Sequence, residues 1–117
     1  MARPLRRTIA LAVVVALDAC RPAARSTVAA ATDHVALPPS YLFSPAAITV
    51  PGGTKVTWTN ADHFTHAIRL LDDAGRVMVL RPGDSTSFVF TTPGLHRYDC
   101  SFHPHDMHGS VAVTPAR

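Results

Sequence analysis

The chain has 117 residues, the length of one domain, with 47% hydrophobic and only 16% charged residues. Its formal charge of +3 arises largely before position 20. From Cys20 onward eight Lys and Arg face seven Asp and no Glu, so no basic stripe remains and nucleic-acid binding is disfavoured.

At the N-terminus Arg3, Arg6 and Arg7 precede an apolar run from Thr8 to Leu17. A basic segment followed by a short apolar one is an export signal. The run falls well short of the roughly 20 residues that cross a bilayer. Leu17-Asp18-Ala19-Cys20 resembles a bacterial lipobox, although Asp18 stands where a small or apolar residue is usual. Residues 1–20 are therefore expected to be a lipoprotein-type signal, with Cys20 carrying a lipid anchor to the membrane. Ordinary cleavage within Val28-Ala29-Ala30-Ala31-Thr32 is the alternative, and would leave a free periplasmic protein. Residues 21–36, rich in Ala, Arg, Ser, Thr and Pro without a period, are expected to form a flexible tether.

Residues 37–115 read as the folded domain, built from short β-like runs separated by turn residues. Ala46 to Val50 is closed by Pro51-Gly52-Gly53, and Thr54 to Thr59 alternates Val56 and Trp58 with polar residues. His66 to Leu71 stops at Asp72-Asp73-Ala74-Gly75, and Arg76 to Leu80 at Arg81-Pro82-Gly83-Asp84. Ser85 to Phe90 places Phe88 and Phe90 on one face. After Thr92-Pro93-Gly94, the run Leu95 to Cys100 sets His96, Tyr98 and Cys100 on one face, with Leu95, Arg97 and Asp99 on the other. Asp99 and Arg97 are expected to be solvated. Gly109 to Thr114 is the last run. These runs predict an all-β fold, a Greek-key β-sandwich of seven or eight strands.

Two cysteines divide between two roles. Cys20 belongs to the processing site, which leaves Cys100 as the only thiol of the domain. A disulfide between them would join a leader to a strand end. A lone thiol in an oxidising compartment is better explained by a bound metal. Cys100, His103, His105, Met107 and His108 crowd one short loop, and Asn60-Ala61-Asp62-His63-Phe64-Thr65-His66 offers a further imidazole from upstream. Thiolate, imidazole and thioether donors suit copper, and two His, one Cys and a weak axial Met form a blue-copper set.

On these residues the chain resembles the small cupredoxins of the plastocyanin, amicyanin and pseudoazurin group. The matching elements are Phe43-Ser44-Pro45, Ile48-Thr49-Val50, Gly53, Val56-Thr57-Trp58-Thr59-Asn60, Asp62 and His66. They continue with Pro82-Gly83, Phe88, Phe90, Pro93-Gly94, Tyr98-Asp99-Cys100, His103-Pro104, Met107, Gly109 and Val111. The resemblance implies a type 1 copper ion held by His66, Cys100 and His103, with Met107 axial. It implies a monomeric carrier of single electrons between redox protein partners, and no enzymatic activity, because four donors leave no open position. The exposed edge of His103, ringed by Phe102, Pro104 and Phe64, would be the docking face.

The rival reading is a periplasmic protein that carries or buffers copper ions. In it the surplus histidines take part: His63 beside His66, and His105 or His108 in place of Met107 or His103. The chain also departs from its relatives. Met107 lies four positions after His103, where three or five are usual, and Ala67 stands where Asn or a hydroxyl residue would brace the loop. The Ala67 backbone N–H remains able to reach the thiolate. His96 and Met78 are expected to be packing residues, His34 part of the tether, and Trp58 and Tyr98 core aromatics with a polar tip to satisfy.

Overall fold

The computed structural model describes residues 28–73 and 75–116, besides positions 10 and 12. The signal with Cys20, apart from those two positions, and the tether up to residue 27 lie outside the described residues. The strands are β1 (Ala30–Ala31), β2 (His34–Leu37), β3 (Ala47–Pro51), β4 (Thr54–Asn60) and β5 (His66–Leu70). They continue with β6 (Val77–Leu80), β7 (Ser85–Phe90), β8 (Gly94–Asp99) and β9 (His108–Thr114). No helix occurs among the described residues.

The strands form two sheets, one in the order β1-β3-β9-β8-β5-β6 and one in the order β2-β4-β7. Alternation along each strand supplies the two inner faces. Ile48, Val50, Ile68, Leu70, Leu80, Tyr98, Val111 and Val113 point inward from the larger sheet, and Val35, Leu37, Val56, Trp58 and Phe90 from the smaller. The expected all-β sandwich is thus present, with nine strands among the described residues.

Of those strands, β1 lies within the stretch 21–36 that reads as a tether, and β2 begins in it and ends at Leu37. Parallel pairing makes them strands: Ala30 registers with Ile48, and His34–Leu37 runs beside Thr57–Asn60. Val35 and Leu37 are buried by this arrangement. A segment this short has too few alternations to announce itself, and its stability comes from the strand it joins.

The core is dominated by aromatic contacts. Tyr98 packs edge-on against Phe43 and Trp58, at centroid distances of 4.8 and 5.3 Å, and Trp58 lies 6.2 Å from Phe90. The polar tips, Trp58 Nε1 and the Tyr98 hydroxyl, have no hydrogen-bond partner. Desolvation pushes the Tyr98 phenol up to about 12, and the adjacent Trp58 offsets only part of that. Tyr98 registers with Gly109 on β9, and its ring occupies the space that a Cβ at Gly109 would need.

Asp99 is a correction to the expectation of a solvated residue. It is only 5% exposed, because Arg69 stands opposite it in register on β5. The Arg69 guanidinium donates two bonds to the carboxylate, of 2.8 and 2.7 Å. Asp99 in turn raises the guanidinium above its ordinary value. Arg97 is exposed as expected.

Candidate metal centre

At one end of the sandwich β4 finishes at Asn60, β5 starts at His66, and the link of residues 61–65 joins them. Asn60, fully buried, organises that link. Its Nδ2 donates to the carbonyls of Phe64 (2.8 Å) and Leu80 (3.0 Å), while its Oδ1 accepts the Asp62 N–H at 2.9 Å. Asp62 therefore points inward. One carboxylate oxygen accepts the His63 N–H at 2.7 Å and the other lies 2.7 Å from His66 Nε2. The hydrogen bond from His66 is the main reason the Asp62 carboxyl sits below its ordinary value, outweighing the opposing cost of burial.

An ionised carboxylate only accepts hydrogen bonds, so His66 Nε2 carries the proton. Nδ1 then presents its lone pair to the interior, where Cys100 Sγ lies 3.9 Å away. Both side chains are completely buried. Ala67, next along β5, directs its backbone N–H at the same sulfur across 3.4 Å.

The β8–β9 loop folds back on itself through its backbone. The His103 N–H donates to the Cys100 carbonyl (3.0 Å), and the N–H groups of Asp106 and Met107 donate to the His103 carbonyl (3.1 and 3.0 Å). The Cys100 N–H returns to the Met107 carbonyl at 3.2 Å. Cys100 and Met107 both become fully buried members of the core cluster. His103 stays partly exposed, with its ring 5.6 Å from that of His66.

The third contributor is the loop between β2 and β3. Tyr41 projects from it with φ of 53°, a left-handed conformation uncommon for a bulky residue. Its ring meets His103 edge-on at 4.9 Å, meets His66 at 6.0 Å and stacks beside Phe64 at 6.0 Å. Sequence reasoning missed Tyr41, because nothing local distinguishes a loop tyrosine that reaches across to a distant strand end. The pairing of Asp62 with His66 was also missed, although a carboxylate four positions before a candidate ligand was visible.

Of the two upstream histidines, His66 faces the thiol and His63 is exposed. His105 and His108 are exposed too, and the Nε2 of His108 lies 3.2 Å from the carbonyl of His105. Among the described residues no group of three or more His, Cys, Asp or Glu side chains is gathered as a metal cluster. The structure brings His66 and Cys100 together, sets the His103 ring beside His66, and buries Met107 in the same cluster. The pair suits a metal: bonds of roughly 2.0–2.3 Å to nitrogen and sulfur let one ion bridge donors this far apart. Thiolate, imidazole and thioether are donor types that suit copper.

Residues 7–113 match the cupredoxin-like domain family. The chain is 35% identical over 83 residues to chloroplastic plastocyanin of Tetradesmus obliquus, covering 62% of this chain and 56% of that protein. It is 30% identical over 76 residues to amicyanin-alpha of Methylorubrum extorquens, covering 61% of this chain and 63% of the relative. The chain thus spans less than two thirds of the length of either relative. Among solved structures, a purple cupredoxin from Nitrosopumilus maritimus superposes with a TM-score of 0.61 at 34% identity, covering 69% of this chain and 98% of that one. With the two-sheet sandwich, the paired histidine and thiol, and a family match over nearly the whole length, the chain belongs to the cupredoxin-like family.

Proposed function

We propose that this chain is a type 1 copper protein that carries single electrons between redox partners outside the cytoplasm. The observation that carries this reading is the buried pair of His66 Nδ1 and Cys100 Sγ, 3.9 Å apart. In this reading His66, Cys100 and His103 hold the ion and Met107 is its axial donor. Bound copper supplies a one-electron couple. The chain supplies rigidity: β5 carries His66 and the adjacent β8 ends immediately before Cys100, so the donors keep their places when the charge changes. Burial excludes water, and the Ala67 N–H stabilises negative charge on the sulfur.

Four protein donors leave no position for a substrate, so the reading is a carrier and not an enzyme. Tyr41, Leu42, Phe64 and Phe102 expose apolar surface, and the first and third of these meet around His103. That face is proposed as the docking surface for a redox protein. Export, and a lipid anchor on Cys20, complete the proposal. No helix among the described residues is long and apolar enough to cross a membrane.

A second reading has one observation in its favour: His63, His105 and His108 are exposed on the loops that carry the site. Such histidines suit a protein that passes copper ions. A Cu(II) titration followed by optical and EPR spectroscopy separates the two. One equivalent giving an intense thiolate-to-copper band with narrow hyperfine splitting supports the electron carrier. A pale tetragonal spectrum, with rapid loss of the metal to a modest chelator, supports ion handling.

A further inference from the structure

We infer that Asp62 is a positioning residue for the metal centre: its carboxylate fixes the His66 tautomer and lends the ligand negative charge. This inference rests on the copper reading for its consequences, but its structural half concerns the metal-free chain alone.

The carboxylate is 3% exposed and His66 is fully buried, so water does not compete for the bond between them. Both oxygens are committed in different ways. The first takes the His63 N–H, which pins the carboxylate plane, and the second takes the His66 Nε2–H. The Asp62 backbone is held by Asn60, whose own amide is anchored to carbonyls of two different segments. The chain Asn60, Asp62, His66 is therefore a continuous buried network that ends at the nitrogen facing Cys100.

Two effects follow. A neutral imidazole has one protonated nitrogen, and the acceptor at Nε2 assigns it, leaving Nδ1 free to ligate without a proton shift. A negative charge hydrogen-bonded to a ligand also favours the more positive oxidation state of the metal, so Cu(II) is stabilised over Cu(I). An Asn at this position would invert the first effect. With its oxygen still accepting from the His63 N–H, its NH₂ group would face Nε2 and donate to it, driving the ring proton onto Nδ1.

The first test uses the full chain without metal. Imidazole ¹⁵N NMR should show His66 as the Nε2–H tautomer in the native protein. In Asp62→Asn the proton should move to Nδ1. A native His66 protonated at Nδ1 would overturn the inference, whatever the variants do. The second test loads copper. Asp62→Asn and Asp62→Ala should each lose about 10- to 100-fold in Cu(II) affinity, with a smaller loss for Cu(I). Each tenfold change in that preference raises the one-electron potential by 59 mV. Equal losses for the two oxidation states, with an unchanged potential, would reduce Asp62 to a structural residue and overturn the electrostatic half. If the native chain itself forms no thiolate–copper band, the copper reading fails while the NMR result on the tautomer still stands or falls by itself.

Discussion

The backbone N–H of Ala67 and the sulfur of Cys100 meet across 3.4 Å, one on β5 and the other just past the end of β8. The donor is a main-chain group, so the small side chain at position 67 costs the site nothing in this respect. Because the thiolate is more negative when copper is reduced, the bond favours Cu(I). Ala67→Pro removes that donor but also puts a ring into the interior strand β5 directly after His66. In a folded variant the potential should fall by on the order of 50 mV, from the strength of a hydrogen bond to a charged group. Voltammetry of the copper-loaded protein checks this, and a rise in potential would contradict it.

Cys100 and Met107 give opposite signatures. Cys100→Ala should abolish the intense visible band, since no sulfur remains to transfer charge. Met107→Leu should keep copper bound and raise the potential, because a donor that stabilises Cu(II) is lost while the packing volume is conserved. An unaltered potential in that variant would direct attention to His105 or His108 as the fourth donor.

Gly109 is irreplaceable for a steric reason. A Cβ there would collide with the ring and hydroxyl of Tyr98, which is locked between Phe43 and Trp58. Gly109→Ala should therefore destabilise the metal-free protein by about 1–3 kcal/mol, the usual cost of overpacking a closed core. Denaturant unfolding measures it, and an unchanged midpoint would show that β9 can shift.

Tyr98 predicts an alkaline limit. Its phenol ionises at about 12 in the folded chain, above the value of 10.0 it has when unfolded. Between those values the unfolded chain has lost the proton and the folded chain retains it, so stability falls as pH rises through this window. The loss amounts to roughly 2–3 kcal/mol at its upper end. Tyr98→Phe should remove this slope and leave stability at neutral pH equal or higher, because the buried hydroxyl has no partner to lose. A retained slope in the variant would assign it to another group.

Association with a redox partner should depend weakly on salt, because the exposed face around His103 is aromatic and the domain nearly neutral. A tenfold change in partner reduction rate between low and high ionic strength would refute this.

Much of the fold was legible because it is written in local alternation. Runs such as Val56-Thr57-Trp58 and Phe88-Val89-Phe90 declare a half-buried strand, and the seven runs from Ala46 onward correspond to β3 through β9. What escaped depends on partners distant in the chain. Asp99 looks like a surface acid until Arg69, thirty residues earlier, is set opposite it. The strands β1 and β2 exist through the edges they join. At the candidate site the residue types were legible, and the resemblance already put His66 ahead of His63; what the sequence does not display is the Asn60 network that turns the one inward and leaves the other in solvent.

Tyr41 couples properties that the proposed carrier would have to control. Its ring lies edge-on to both His103 and His66, from outside the loop that bears Cys100 and Met107. In the proposed carrier a change there would alter the gap an electron crosses, the shape a partner meets and the water that reaches His66 and His103. Selection acting on position 41 would therefore tune speed, choice of partner and voltage together.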